Sequence, residues 1–227
     1  MAEVKRLSDH EESVAGWRAP EVEEELPGLR LLAGQALHKR AQQLTAGSPP
    51  EIRQRLSELS NRVRGARAVA IRREPVPAAY RVFFRHIGLE PDTVRTPIEA
   101  AILERMLRGG FLTRCLLDDV LLLALVDTGV PVWALDAETV DGQLGVRASR
   151  QGERLGRAAD ASLLPAGRLV VADSSAALAI LFGELAPGHE PGAGTRRLAL
   201  FAVQVAGVPD LFVEEALWIC RAAFEQL

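Results

Sequence analysis

Lysine, cysteine, histidine and aromatic residues are all scarce in this 227-residue chain, and each scarcity narrows what it can do. The two cysteines, Cys115 and Cys220, form no Cys-x-x-Cys pair, which argues against a zinc site or a thioredoxin-type motif. Both fall in apolar helical patterns, so buried thiols of a reducing compartment are the expectation. The four histidines, His10, His38, His86 and His189, show no ligand spacing. No metal and no cofactor is therefore expected. Phosphate-binding loops of the Gly-x-x-x-x-Gly-Lys-Ser/Thr and Gly-x-Gly-x-x-Gly types are absent, as is a Gly-x-Ser-x-Gly nucleophile elbow. Aromatics make up only 5%, so aliphatic side chains must supply most of the buried area. The apolar run Val120 to Val126 falls far short of the roughly 20 residues that span a bilayer. Met1 to Ser13 is charged and has no hydrophobic signal core. The expectation is a cytoplasmic protein with no membrane partner. A net charge of −3 argues against coating nucleic acid through the overall field.

What is present is a chain of ordinary globular composition, 48% hydrophobic and 25% charged. Residues 1–14 are polar and expected to be disordered, leaving 15–227 as a single unit with an N-terminal part (15–95) and a core (96–227). Leu29-Arg30-Leu31-Leu32 after the Pro27-Gly28 turn reads as a short strand. Ser48-Pro49-Pro50-Glu51 and Thr96-Pro97-Ile98-Glu99 each read as a capping box with proline in the first turn. The first opens a helix with Ile52, Leu56, Leu59 and Val63 inward. The second opens one with Ile98, Ile102 and Met106 inward, ended by Gly109-Gly110. Thr113 to Val126 predicts a buried helix, closed by Gly129-Val130-Pro131. Short β segments follow at 132–135, 144–148, 169–172, 177–182 and 198–205, with 186–195 a Pro/Gly-rich loop. Asp210 is expected to cap a last helix with Val213, Leu217, Cys220 and Phe224 inward. The class is α+β.

Ser174 and Ser175 follow a strand and read as turn residues, since no base stands near them. Asp118 and Asp119 are neighbours on a helix, about 100° apart, and do not form a carboxylate pair. Between Glu51 and His86, nine arginines face three acids, a local excess of six on an otherwise acidic chain. Arg62, Arg64, Arg72 and Arg73 are the candidate RNA phosphate contacts of this segment. The alternative is a solvated face whose charge is answered by glutamates elsewhere.

The run from Thr96 to Asp173 resembles the editing (B3/B4) module of the phenylalanyl-tRNA synthetase β subunit. That module has a helix with Asp-x-x-Asn, then Gly-x-Pro-x-His-Ala-Phe-Asp, a Val-Arg-x-Ala strand, a Gly-Glu turn and a strand ending in Ala-Asp. This chain has Asp119-Val120-Leu121-Leu122, then Gly129-Val130-Pro131-Val132-Trp133-Ala134-Leu135-Asp136. Val146-Arg147-Ala148, Gly152-Glu153 and Leu169-Val170-Val171-Ala172-Asp173 follow, with Phe182-Gly183 and Thr195 further on. Trp17 to Leu32 and the Tyr80-Arg81 helix look like stand-alone proteins built around the module. The resemblance implies a three-layer fold with an unusual β-sandwich flanked by helices, and one pocket between its parts.

In the family that pocket hydrolyses tyrosine mistakenly attached to the phenylalanine tRNA. The family's histidine falls on Trp133, its asparagine on Leu122, its closing-strand glutamate on Phe201 and an arginine on Leu112. Leu122, Trp133, Phe182, Gly183 and Phe201 are therefore expected to converge on an apolar pocket, with Thr195 and His189 the only catalytic candidates. Rejecting a hydroxyl needs a polar group to receive it, so tyrosine editing by the family's route is not expected. Three functions follow: binding of tRNA or aminoacyl-tRNA, hydrolysis of another aminoacyl ester using a loop with Glu184, His189 and Glu190, or binding of a small apolar or amino-acid ligand. Asp136 and Asp173 are expected to bond turn amides, and Arg147 to tie the two parts together.

Overall fold

A computed structural model of the protein describes residues 13–39 and 41–226. Most of the segment expected to be disordered thus lies outside the described residues, although Val14 already stands in a strand. In chain order the elements are β1 (Val14–Ala15), β2 (Trp17–Arg18), α1 (Pro20–Glu25), β3 (Arg30–Leu37), α2 (Pro50–Arg62), α3 (Ala66–Ala70), α4 (Pro75–His86), α5 (Pro97–Arg108), α6 (Leu116–Thr128), β4 (Val132–Asp136), β5 (Gly145–Ala148), β6 (Leu169–Ala172), β7 (Ala177–Ile180), β8 (Arg197–Gln204) and α7 (Asp210–Gln226). The fold is α+β. Two four-stranded sheets form, ordered β1-β3-β8-β4 and β2-β5-β6-β7. The first is antiparallel throughout, whereas the second pairs β2 in parallel with β5. None of the described helices is long and apolar enough to cross a membrane.

β8 organises the first sheet because both of its faces are covered. Every residue from Leu198 to Gln204 is buried, which is why the run Leu-Ala-Leu-Phe-Ala-Val lacks the alternation of a half-exposed strand. α7 packs on β3 and β8, and α6 packs on α7 and β4. The opposite face, carrying Phe201 and Val203, joins one core with Val146, Val171 and Leu178 of the second sheet and Tyr80 and Phe84 of α4. The Tyr80 hydroxyl donates to the Val203 carbonyl at 2.7 Å, satisfying its one buried polar atom. The parallel β2–β5 contact requires glycine at 145, since any Cβ there would lie 2.1 Å from the Trp17 ring.

Several local expectations change. β3 runs to Leu37, five residues past Leu32, because its small residues pair with β8 along the full length. Ser48 does not cap α2: its hydroxyl donates to Asp119 at 2.6 Å, and Pro49 holds the cap position without a side-chain bond. Thr96 does precede α5, yet its hydroxyl donates to the Glu99 carboxylate at 2.8 Å rather than taking an amide. Met106 is 49% exposed, and Arg105 takes the inward position instead. α6 starts at Leu116 and ends on Gly129, whose φ of 76° suits a residue without Cβ. Asp210 opens α7 but bonds Gln204 and Arg30, while Val213, Leu217, Cys220 and Phe224 are buried on its inner face.

Candidate functional site

Trp133 and Phe201 are direct cross-strand partners of β4 and β8, and opposite residues of a pair point to the same face. Their rings stack at a centroid distance of 5.5 Å and 11°. Phe182 joins them from the turn after β7, with its ring 5.6 Å from Trp133 and 5.1–5.8 Å from Tyr80, Phe83 and Phe84. It does so at φ 58°, a left-handed backbone costing a bulky residue about 1–2 kcal/mol. Four ring contacts, each contributing about 0.5–1.5 kcal/mol, offset that strain. Gly183 completes the turn, its amide donating to the Ile180 carbonyl at 2.8 Å. A Cβ there would lie 2.9 Å from Ile180. Three of the anticipated residues thus meet as rings, Trp133 touching both Phe182 and Phe201. Leu122 is not with them: it packs beside Leu56 and Leu59 of α2 and, with Leu112, lines a separate cavity between α5 and α6.

The loop 184–195 is held by polar bonds. The His189 Nδ1 lies 2.9 Å from the Thr139 hydroxyl, which itself donates to the Asp136 carbonyl at 2.8 Å. Nδ1 therefore carries the proton, and Nε2, 3.3 Å from Arg157 Nη1, accepts. Burial first, and then the Arg157 charge, hold this imidazole below its ordinary pKa. Both ring nitrogens are occupied. Thr195 is equally committed, donating to Asp136 Oδ2 at 2.6 Å and accepting from the Gly192 amide at 3.0 Å.

Asp173, 4% exposed, accepts from the amides of Asp141, Ser175 and Ala176 at 2.8–2.9 Å and from the Arg157 guanidinium. Burial alone would raise its pKa, but these donors outweigh it and the carboxyl is held low. Asp136 likewise accepts the Glu138 amide at 3.0 Å, the turn role anticipated for both carboxylates. Arg147 does not tie the two parts together; it pairs with Glu153 six residues on. The residue sequence reasoning missed is Arg157, which joins Asp173, Ser175, Thr139 and His189. Its partners lie 16–32 residues away on both sides, and no spacing pattern marks it.

The basic segment divides by partner. Arg55 pairs with Asp127 at 2.9 Å, Arg85 with Glu90 at 3.8 Å, and Arg81 is buried against Glu99 and Asp92. Arg64 bonds the Asn61 side chain. Arg53, Arg62, Arg72 and Arg73 are exposed and, among the described residues, none has a carboxylate within ion-pair distance. They ride on α2 and on the 3-10 turn Ile71–Arg73 that precedes α4.

No family model matches the chain. Two curated proteins are similar over part of it. A phenylalanine–tRNA ligase β subunit of Xanthomonas axonopodis pv. citri is 40% identical over 68 residues, 30% of this chain. The corresponding subunit of Xanthomonas euvesicatoria pv. vesicatoria is 36% identical over 88 residues, 39% of this chain. The matched segments span only 8% and 10% of those subunits. Part of this chain is therefore similar to the β subunit of a tRNA ligase.

Proposed function

We propose that this chain is a B3/B4-type module that binds tRNA or aminoacyl-tRNA through the arginines of α2–α4 and does not edit tyrosine. The observation that carries the reading is the set of exposed arginines, Arg53, Arg62, Arg72 and Arg73, with no carboxylate among the described residues within ion-pair distance, on an otherwise acidic chain. A solvated face answered by neighbouring glutamates would show these guanidiniums paired, as Arg55 and Arg85 are. The partial similarity to a tRNA ligase subunit supports tRNA as the polyanion.

Binding without hydrolysis is the preferred form for a chemical reason. Hydrolysis of an aminoacyl ester needs a free base or positioned water and a group for the oxyanion. The lone pair of His189 faces a guanidinium, and the Thr195 hydroxyl is spent on Asp136. Trp133 and Phe201 present rings where the family has a histidine and a glutamate.

The test is a tRNA titration at two salt concentrations. Phosphate contacts release counterions, so affinity is expected to fall steeply with salt, and each contact removed lowers the slope by about one. Arg62→Ala with Arg64→Ala, and Arg72→Ala with Arg73→Ala, are expected to flatten it. An affinity and slope unchanged by both pairs would leave these residues as a solvated face.

A further inference from the structure

Two described arginines are 9% exposed, Arg81 and Arg105, and they are treated very differently. Arg81 is answered by Glu99 at 2.5 Å and Asp92 at 2.8 Å. Arg105 has only neutral acceptors: Nε donates to the Ser60 hydroxyl at 3.2 Å and Nη2 to the Ser60 carbonyl at 3.0 Å. Among the described residues its Nη1 has no partner and no carboxylate lies within ion-pair distance. The guanidinium is largely withdrawn from water with no counter-charge, and Nη1, which solvent still reaches, is the donor left for an anion.

Arg105 lines a cavity of about 250 Å³ between α5, α6 and the segment joining them. The other walls are mainly apolar, formed by Phe111, Leu121, Leu122 and Leu125. The acids that share the lining are mostly engaged. Glu104 pairs with Arg114 at 2.9 Å, and Asp119 accepts from the Ser48 hydroxyl at 2.6 Å and the Arg114 amide at 2.9 Å. Asp118 alone is exposed and without a cation. The cavity therefore presents one guanidinium without a counter-charge, an apolar wall and one exposed carboxylate without a cation.

We infer that this cavity binds a small molecule bearing a carboxylate on an apolar body. The planar carboxylate takes the unused N–H donors of Arg105, matching fork to fork. The body covers Leu121, Leu122 and Leu125, in a volume suited to a branched chain of a few carbons. Inorganic phosphate is a poor fit, because its remaining oxygens would face carbon. Two sources share this chemistry, a free apolar amino acid and a simple short-chain acid, and Asp118 favours the first by receiving an ammonium. The site shares no residue with the exposed arginines or the Trp133 cluster, so it stands or falls independently of tRNA binding.

Isothermal titration of the full chain with leucine, 4-methylpentanoate, 3-methylbutylamine and inorganic phosphate tests the inference. At least one carboxylate is expected to bind saturably with a Kd of about 1 mM or tighter, with no binding of the amine or of phosphate. Leucine binding more tightly assigns Asp118 the ammonium; the reverse order assigns a plain acid. Arg105→Met is expected to weaken binding at least about tenfold, since 1.4 kcal/mol or more of charge-assisted bonding goes with the guanidinium. Leu122→Trp fills the cavity from its apolar wall without touching the guanidinium, and it carries the test should Arg105→Met fail to fold. Neither carboxylate binding, the amine binding equally well, or affinity surviving in a folded Leu122→Trp protein would overturn the site.

Discussion

The region around β4 and β8 has two halves built on opposite principles. On one side Phe182 joins Tyr80, Phe83 and Phe84 to Trp133, which stacks on Phe201, and ring contacts predominate. On the other, His189, Thr195, Asp136, Arg157 and Asp173 are joined by hydrogen bonds that satisfy nearly every polar atom. The first half is held by area and shape, the second by directed bonds. Both are committed to structure.

Breaking the ring half is expected to cost most. Phe201 is 1% exposed, and Phe201→Ala should destabilise the protein by about 3–5 kcal/mol in urea unfolding. A cost below about 1 kcal/mol would mean that Trp133 and Phe182 collapse into the gap. Breaking the polar half comes next. Asp173→Ala strands three amides and the Arg157 guanidinium, an expected loss of about 3 kcal/mol. Asp173→Asn should recover only part of it, because the amide nitrogen cannot accept.

The polar half should respond to acidification. The folded state holds His189 neutral below the ordinary histidine value of 6.5, so the unfolded chain binds a proton first as pH falls. Stability from this residue is thus present above that value and lost on acidification through and below it. Asp173, held low, withdraws its contribution at still lower pH, below the carboxylate range of the unfolded chain. His189→Gln should flatten the first stage of the urea-midpoint profile and leave the second. The smallest effect sharpens the ring half: a double-mutant cycle between Trp133→Leu and Phe201→Leu should give a coupling of about 1 kcal/mol.

How much of this was readable from the chain depends on how local its cause is. β6 and β8 are legible because strands covered on both faces carry continuous apolar runs, and α6 is legible from the length of its apolar run. The inner face of α7 was legible from its 3.6-residue period alone. β3 was read too short, since Ala33, Gly34, Gln35 and Ala36 take strand form only by pairing with β8. Met106 carries the helical period of the inner face yet points outward, because Ser60, 45 residues before Arg105, supplies the acceptors that draw Arg105 inward. Ser48 and Thr96 look like caps, yet Asp119 and Glu99 compete for their hydroxyls and win. At the candidate site, the meeting of Trp133 with Phe201 is what the family resemblance implies, and the β4–β8 register is its physical cause. The state of His189 was not legible, because its partners Thr139 and Arg157 stand 50 and 32 residues away.

Deacylation of a phenylalanine tRNA charged with tyrosine, followed with and without the protein, tests most directly whether this module binds without editing. The protein is expected to form a salt-sensitive complex with the tRNA while the ester decays at its spontaneous rate. An acceleration of about a hundredfold or more, removed by Thr195→Val or His189→Gln, would contradict the account and show a catalytic site rebuilt in the 184–195 loop.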